Sequence, residues 1–458
     1  MIARTRDNVF LGHPAGLGWL AGSEFWERFS YYGMQALLVL YMTHQLLLPG
    51  HVEHVLGFGA FRAAIESVRG PLSPLALASQ VFGLYAGFVY VTPILGGILA
   101  DRVIGRTYAV VIGASLMTLG HFLMAFDASF LLALLCLLIG VGCFKGNIAV
   151  QVGELYDKND PRRADAFQIY MFGIQLAGIV TPLVCGTLGE VYGWHWGFAA
   201  AGIGMLAGLT IYLVGRPALP PEPPLRGKSG MARPPLTPAE WRNVVVLVVL
   251  LPVLAVSAIG NQQIYNSYLV WGEANFRLTF FGMAMPVTWL LSADGILSAA
   301  TMAGSVLFWH WWARRHAEPD EITKIAIGSA FAAIGPLLLA LATTLSGGQR
   351  VSLAWGMAYQ TLNDIGFSNV FPVGLALYSR ASPKSIAAIM IAIYYLHLFM
   401  ANYLVGYLGG LLERMPGASF WLLHAGLMAG ATAVLLVVRG AAGRALAPSY
   451  DKPQEAAA

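Results

Sequence analysis

The sequence predicts an all-α polytopic membrane protein. Of its 458 residues, 57% are hydrophobic and only 11% are charged, where soluble domains carry about 25% charged residues. The apolar residues gather in runs of about 20 or more, the length that crosses a bilayer as a helix. Twelve such spans are expected, at 16–42, 78–101, 106–126, 128–156, 167–192, 195–215, 242–271, 286–312, 321–345, 351–379, 386–412 and 418–438. With both termini in the cytoplasm, twenty Lys and Arg residues lie inside, from Arg4 and Arg6 through Lys158, Arg226, Lys228 and Arg233 to Lys452. Only Arg62, Arg69, Arg277, Arg350 and Arg414 lie outside, the asymmetry that the positive-inside rule requires.

The first span is long, carries charges and lacks a small-residue cleavage site, so no cleavable signal peptide is expected. Residues 43–77 form a long outer loop with a short helix expected at Phe58–Arg69. Pro217–Trp241 is rich in Pro, Gly and basic residues and reads as a cytoplasmic linker between two six-helix halves. The domain reading is a first bundle over 1–215, a linker at 216–241, a second bundle over 242–440 and a cytoplasmic tail at 441–458. Cys136, Cys143 and Cys185 lie in apolar segments and read as small buried hydrophobes. The net charge of +4 is scattered through short loops, which speaks against a nucleic-acid partner. The tryptophan runs at 194–196 and 309–312 sit at span ends and suit an interfacial aromatic belt.

The first span holds the chemistry. Glu24, Arg28, Tyr31, Tyr32 and Gln35 fall on one helical face, at i, i+4, i+7, i+8 and i+11, with Glu27 at its margin. Each charge placed mid-bilayer costs roughly 3 kcal/mol on insertion scales. Such a face looks into a wet cavity; a Glu–Arg pair locking helix to helix is the other reading. Lys145 in span 4 is the next intramembrane charge. Arg28 and Lys145 each lie twelve residues from the inner boundary, or about 18 Å at about 1.5 Å per residue, so their heights match.

The second half contributes Asp294 in span 8 and Asp364 in span 10, both mid-span, and a polar run from Asn261 to Ser267 in span 7. Span 5 offers Gln175. Snorkelling is the alternative role for Lys145, and helix-capping beside Gly295 and Gly366 the alternative for the two aspartates. His121, His397 and His424 stand singly on apolar segments, without metal-ligand spacing. Acids and bases from both halves at mid-depth describe a central solute site with a proton relay. A partner cation that moves changes a carboxyl group's hold on its proton, which is the physical requirement for coupling.

The stretch Glu24-Phe25-Trp26-Glu27-Arg28-Phe29-Ser30-Tyr31-Tyr32-Gly33 fits the E-x-x-E-R-F-x-Y-Y-G signature and resembles the proton-dependent oligopeptide transporter family. Gly83-Leu84-Tyr85 with Thr92-Pro93 and Gly96-Gly97 is similar to that family's second helix. It runs into Asp101-Arg102 and Gly105-Arg106, which resemble the loop common to the major facilitator superfamily. Phe144-Lys145-Gly146-Asn147 with Gly153-Glu154-Leu155-Tyr156 resembles its helix 4. The stretch from Phe167 through Tyr170 and Gly173 to Gln175 resembles its helix 5, and Phe371-Pro372 through Pro383 its helix 10.

The resemblance implies two six-helix bundles of the major facilitator fold around a central cavity, and import of di- and tripeptides with inward proton flow. It implies proton coupling at Glu24, Glu27, Arg28 and Lys145, and peptide contacts from Arg28, Tyr31, Tyr32, Tyr85, Lys145 and Asn147. No cofactor is implied beyond the coupling proton. A functional monomer in the cell membrane is expected, with the lipid bilayer and a small peptide as its partners. The sequence departs from the family at Gly146 for a proline, Gln175 for an asparagine, and Asn261 or Gln262 for the helix 7 glutamate. Asp294 replaces an asparagine, and Phe367 the helix 10 glutamate. Asp294, or more weakly Asp364, is expected to replace that lost acid, either holding a substrate ammonium or answering Lys145; Asp294 is also expected to take part in proton coupling. Gln175 keeps a substrate-binding expectation. The altered positions leave open a transporter of another amphoteric solute. A membrane enzyme is disfavoured, because the charges lie at mid-depth and no nucleophile elbow, phosphate loop or paired His–Glu metal motif occurs.

Overall fold

The computed structural model describes residues 9–157, 160–222 and 235–446, without the Phe280 side chain. Arg4, Arg6, Lys158, Arg226, Lys228, Arg233 and Lys452, with 223–234 of the expected linker and 447–458 of the expected tail, lie outside the described residues. Apart from a two-residue hairpin, β1 (Thr279–Phe280) and β2 (Met283–Ala284), the regular structure is helical. The first half comprises α1 (Ala15–Tyr41), α2 (Phe58–Arg69), α3 (Pro74–Leu99), α4 (Arg106–Leu123), α5 (Phe130–Glu154), α6 (Arg162–Thr181) and α7 (Trp194–Gly215). After the linker come α8 (Pro238–Ser257), α9 (Ile259–Gln263), α10 (Ser267–Asn275), α11 (Trp289–Ala313), α12 (Glu321–Leu345), α13 (Leu353–Ala381), α14 (Ala387–Gly409) and α15 (Gly417–Leu446).

Among the described residues, nine helical stretches are long and apolar enough to cross a membrane. The other three expected spans are helical too. α1 and α13 carry polar and charged residues, and α4 is short. Helices suit this composition because each satisfies its own backbone where water is scarce. Their starts follow local chemistry: Ser73 caps α3 before Pro74, and Thr237 forms a capping box with Glu240 before α8.

The expected continuous span at 242–271 is corrected. The chain breaks at Ala258 and again at Ile264–Asn266, giving α8, α9 and α10. The polar run causes this, because its side chains bond sideways to neighbouring helices. Gln262 accepts from Asn402 at 2.9 Å, Gln263 meets His424 at 2.8 Å, and Asn266 accepts from Ser79 at 3.0 Å. Asn266 leaves helical geometry, at φ −123° and ψ −108°.

Two seams join the halves, α3 against α14 and α6 against α11. In the first, Gly83 meets Gly406 so closely that a Cβ on Gly83 would stand 2.8 Å from the Gly406 Cα. Small residues let membrane helices approach in this way. The hydrogen bonds across the seams gather at the end remote from Val9 and Leu446. There Glu190, in the π-helical continuation of α6, accepts from Val287 N at 2.8 Å, Thr288 N at 2.9 Å and Thr288 Oγ1 at 2.6 Å. Thr187 accepts from the Trp289 indole at 2.8 Å, and His44 meets Glu273 at 2.8 Å. The Arg69 guanidinium covers the Tyr407 ring at 3.8 Å. A carboxylate at the start of α11 also faces the positive end of the helix dipole. At the opposite end, α6 and α11 part around a cavity of about 630 Å³ lined by Gln168, Gln175, Met302 and Val306. The α6–α11 seam is thus bonded at one end and opens into a cleft at the other.

Hydrogen bonds to a charged group contribute about 1.5–3 kcal/mol each, so Glu190→Ala should loosen the latched end. Buried Cys185, five residues before Glu190, reports on it. In a background of Cys136→Ala and Cys143→Ala, maleimide should label Cys185 about tenfold faster once Glu190 is replaced, equivalent to about 1.4 kcal/mol of opening. An unchanged rate would show that packing alone holds the seam.

Candidate functional site

α1 lies between α6 and α7, and this position buries its charged turn. Glu24, Glu27 and Arg28 are 2%, 0% and 3% exposed. Arg28 forks onto its neighbour Glu27, with Nε 2.5 Å from Oε2 and Nη2 2.7 Å from Oε1. Its Nε lies 3.3 Å from Glu24 Oε1, one turn away. Glu27 is therefore the fixed partner and Glu24 the loosely held one. The Tyr170 hydroxyl of α6 stands beside this carboxylate as its hydrogen-bonding neighbour. The Arg28 guanidinium also covers the Tyr31 ring at 4.8 Å, while Tyr32 faces it.

Lys145 on α5 comes to the same cluster, where Arg28, Glu27 and Glu24 are the charges acting on it. It makes no direct ion pair among the described residues; its ammonium sits 5.1 Å from the centre of the Tyr90 ring. Tyr85 is buried and feels Glu27 and Arg28. Asn147 turns back on its own helix and donates to the Cys143 carbonyl at 2.7 Å. Gln175 stands apart, in the lining of the cavity between α6 and α11.

Asp294 on α11 and Asp364 on α13 are buried and adjoin one another. Neither figures among the charges acting on Lys145. Phe367 stacks on Phe371, ring centres 5.1 Å apart, and gives the position an apolar surface. The three single histidines are buried: His397 and His424 bond to carbonyls of their own helices, and His121 sits on α4.

Three tyrosines not singled out from the sequence as site residues complete the geometry. Tyr90 covers Lys145 and stacks on Tyr395 across the halves, at 6.5 Å and 12°. Tyr170 adjoins Glu24, and its place in the helix 5 motif was the available signal. Tyr265, in the break before α10, stands among Tyr32, Tyr90, Asp294 and Asp364. It lay inside the polar run 261–267 but carried no charge to mark it. The arrangement offers a cation free to receive a carboxylate, a loosely paired acid free to receive a proton, and phenols between them.

Breaking a buried pair by removing one partner costs about 3–5 kcal/mol. Glu27→Ala should therefore lower the thermal unfolding midpoint of the purified protein by several degrees more than Glu24→Ala. Equal losses would mean that the forked contact does not anchor Arg28.

A family model described as POT family matches residues 107–233. The di-/tripeptide transporter of Lactococcus lactis subsp. cremoris is 31% identical over 386 residues, covering 82% of this chain and 68% of its own. The peptide transporter YePEPT of Yersinia enterocolitica subsp. palearctica is 28% identical over 476 residues, covering 88% of each chain. Among solved structures, a variant of a peptide transporter POT in complex with alafosfalin superposes with a TM-score of 0.84 at 25% identity, over 97% of this chain and 98% of its own. A POT family transporter in complex with 5-aminolevulinic acid shares the fold, with a TM-score of 0.80 at 22% identity over 95% and 98% of the two chains. With its motif in α1, its bundle and these relatives, the chain belongs to the POT family.

Proposed function

We propose that the protein is a symporter that imports di- and tripeptides with protons, by alternating access. Peptide transport is the activity of the family's named relatives, and the chain's role is that of a transporter and not an enzyme. The observation that carries the proton-coupled reading is the buried Glu24–Glu27–Arg28 turn with Lys145 beside it, inside an all-helical bundle. Lys145, which has no direct ion pair, receives the peptide carboxylate, with Arg28 in support. Tyr31, Tyr32 and Tyr85 stand beside the same cluster and contact the peptide. A proton reaching Glu24 cancels its pull on Arg28 and Lys145, and both cations then hold the incoming carboxylate more firmly. Losing that proton on the other side restores the pull and releases the peptide, so the two fluxes are linked.

The architecture that suits this cycle has twelve spans in two six-helix bundles, 1–215 and 242–440, with linker and tail in the cytoplasm. The sites lie in a monomer in the cell membrane, and the proton is the coupling ion with no other cofactor. The remote latch is then the closed outer gate, and the cavity at Gln175 is the inner opening.

The test is uptake of labelled dialanine into proteoliposomes under an inward acid gradient, with a protonophore control. Accumulation should need the gradient. Glu24→Gln and Lys145→Ala should each abolish accumulation while leaving some exchange. Full gradient-driven accumulation in either variant would contradict the assigned role.

A further inference from the structure

In the second half, α11 and α13 run side by side in the same direction. Gln360 Nε2 donates to the Leu290 carbonyl at 2.9 Å near their starts, and Trp309 donates to Asn369 at 2.6 Å further along. One helical turn past the first contact, each helix carries an aspartate, Asp294 after Leu290 and Asp364 after Gln360. They are 7% and 1% exposed, and Asp294 acts on Asp364.

Their surroundings lack cations. Asp294 Oδ1, both Asp364 oxygens, Gln360 Oε1 and Asn363 Oδ1 are buried without a hydrogen-bond partner. All are acceptors, and Gln360 is itself fully buried. α6 presents Gly178 and Ile179 to this region, and α12 presents Gly328, Ala332 and Gly335. Tyr265, Tyr268 and Tyr359 are the nearby phenols. The histidines of α14 and α15, His397 and His424, are bonded to their own helices. Among the described residues, no Lys, Arg or His figures among the groups acting on either aspartate.

A carboxylate buried without a cation is costly, and two neighbouring negative charges there are costlier still. One hydrogen between the carboxyl groups removes their mutual repulsion, neutralising one and giving the other a donor. We infer that Asp294 and Asp364 are a proton-binding pair sharing one hydrogen, separate from the Glu24–Lys145 cluster, which gives the second half a proton of its own. The pair stands beside the α6–α11 seam, where Gly295 packs on Ile179. Opening that seam admits water, which solvates both carboxylates and takes the hydrogen. The part played by the pair in transport rests on the proton-driven reading above; its proton binding does not.

Asparagine offers a permanent N–H to its neighbour, so Asp364→Asn or Asp294→Asn removes the need for the hydrogen. The purified full-length chain, without substrate, is titrated with acid and its proton uptake read with an indicator dye. The parent should bind one proton more than either variant, and the double variant should match the single ones. In proteoliposomes, the reversal potential with dialanine should show one proton fewer per peptide in each variant, with exchange retained. Asp364→Glu should keep the parent's proton and serves as the folding control. Equal uptake by the parent and both folded asparagine variants would overturn the pair. Loss of dialanine binding with unchanged proton uptake would overturn it too, making the site one for an ammonium. Failure of the parent to move dialanine would strike the transport reading alone, because the dye titration needs no transport.

Discussion

Everything in the interior answers to one constraint: a charge removed from water must find a partner of opposite charge or an available hydrogen. The first half meets it with the forked Arg28–Glu27 contact, at 2.5 and 2.7 Å, inside a fully buried turn of α1. Because that contact uses most of the guanidinium, Glu24 and Lys145 are left under-paired. An arginine shared equally between both glutamates would leave neither acid easier to protonate. The asymmetry turns a structural ion pair into a switchable one.

The second half meets the same constraint differently. Its interior polar groups are mostly amides and phenols, and they bond sideways. Gln262, Gln263 and Asn266 tie the broken stretch α8–α10 to α14, α15 and α3. Those bonds hold the break in place, and the break carries Tyr265 to the middle of the molecule. Tyr265 stands among Tyr32 and Tyr90 of one half and Asp294 and Asp364 of the other. Phenols suit that position. They stay neutral, tolerate burial and reorient a single O–H between acceptors, so each half feels the other without a fixed bridge that would resist separation.

Much of this was legible in one dimension. The charged face of α1 followed from helical spacing, and the matching depth of Lys145 and Arg28 from counting residues to the boundary, because an apolar helix crosses the membrane at a nearly fixed rise; that the two meet is a tertiary fact. The fork onto Glu27 was hidden, since side-chain direction decides it and spacing favoured Glu24. The break after Ser257 was hidden as well. Asn, Gln and Tyr are tolerated in a helix until neighbours offer them better partners, and those partners lie more than a hundred residues away, at Asn402 and His424. The placing of Asp364 beside Asp294, and not beside Lys145, is a tertiary fact of the same kind. It depends on α11 and α13 running parallel with Gln360 on Leu290.

The seams connect these local solutions to movement. Glu190 holds the start of α11 through two backbone N–H groups and a hydroxyl, a grip that depends on geometry at one end of a long helix. Further along the same helix, Gly295 touches α6 and Asp294 faces α13, and beyond them the helices part around the cavity. A rigid α11 therefore cannot rock at the latch without changing the surroundings of Asp294. The first half has the matching arrangement, since α6 carries Tyr170 against Glu24 and Glu190 in the latch. One seam thus passes both groups of acids, and closing either end alters what each acid touches. Coupling between the two groups of acids would need no long relay of contacts, because α6 and α11 border both of them.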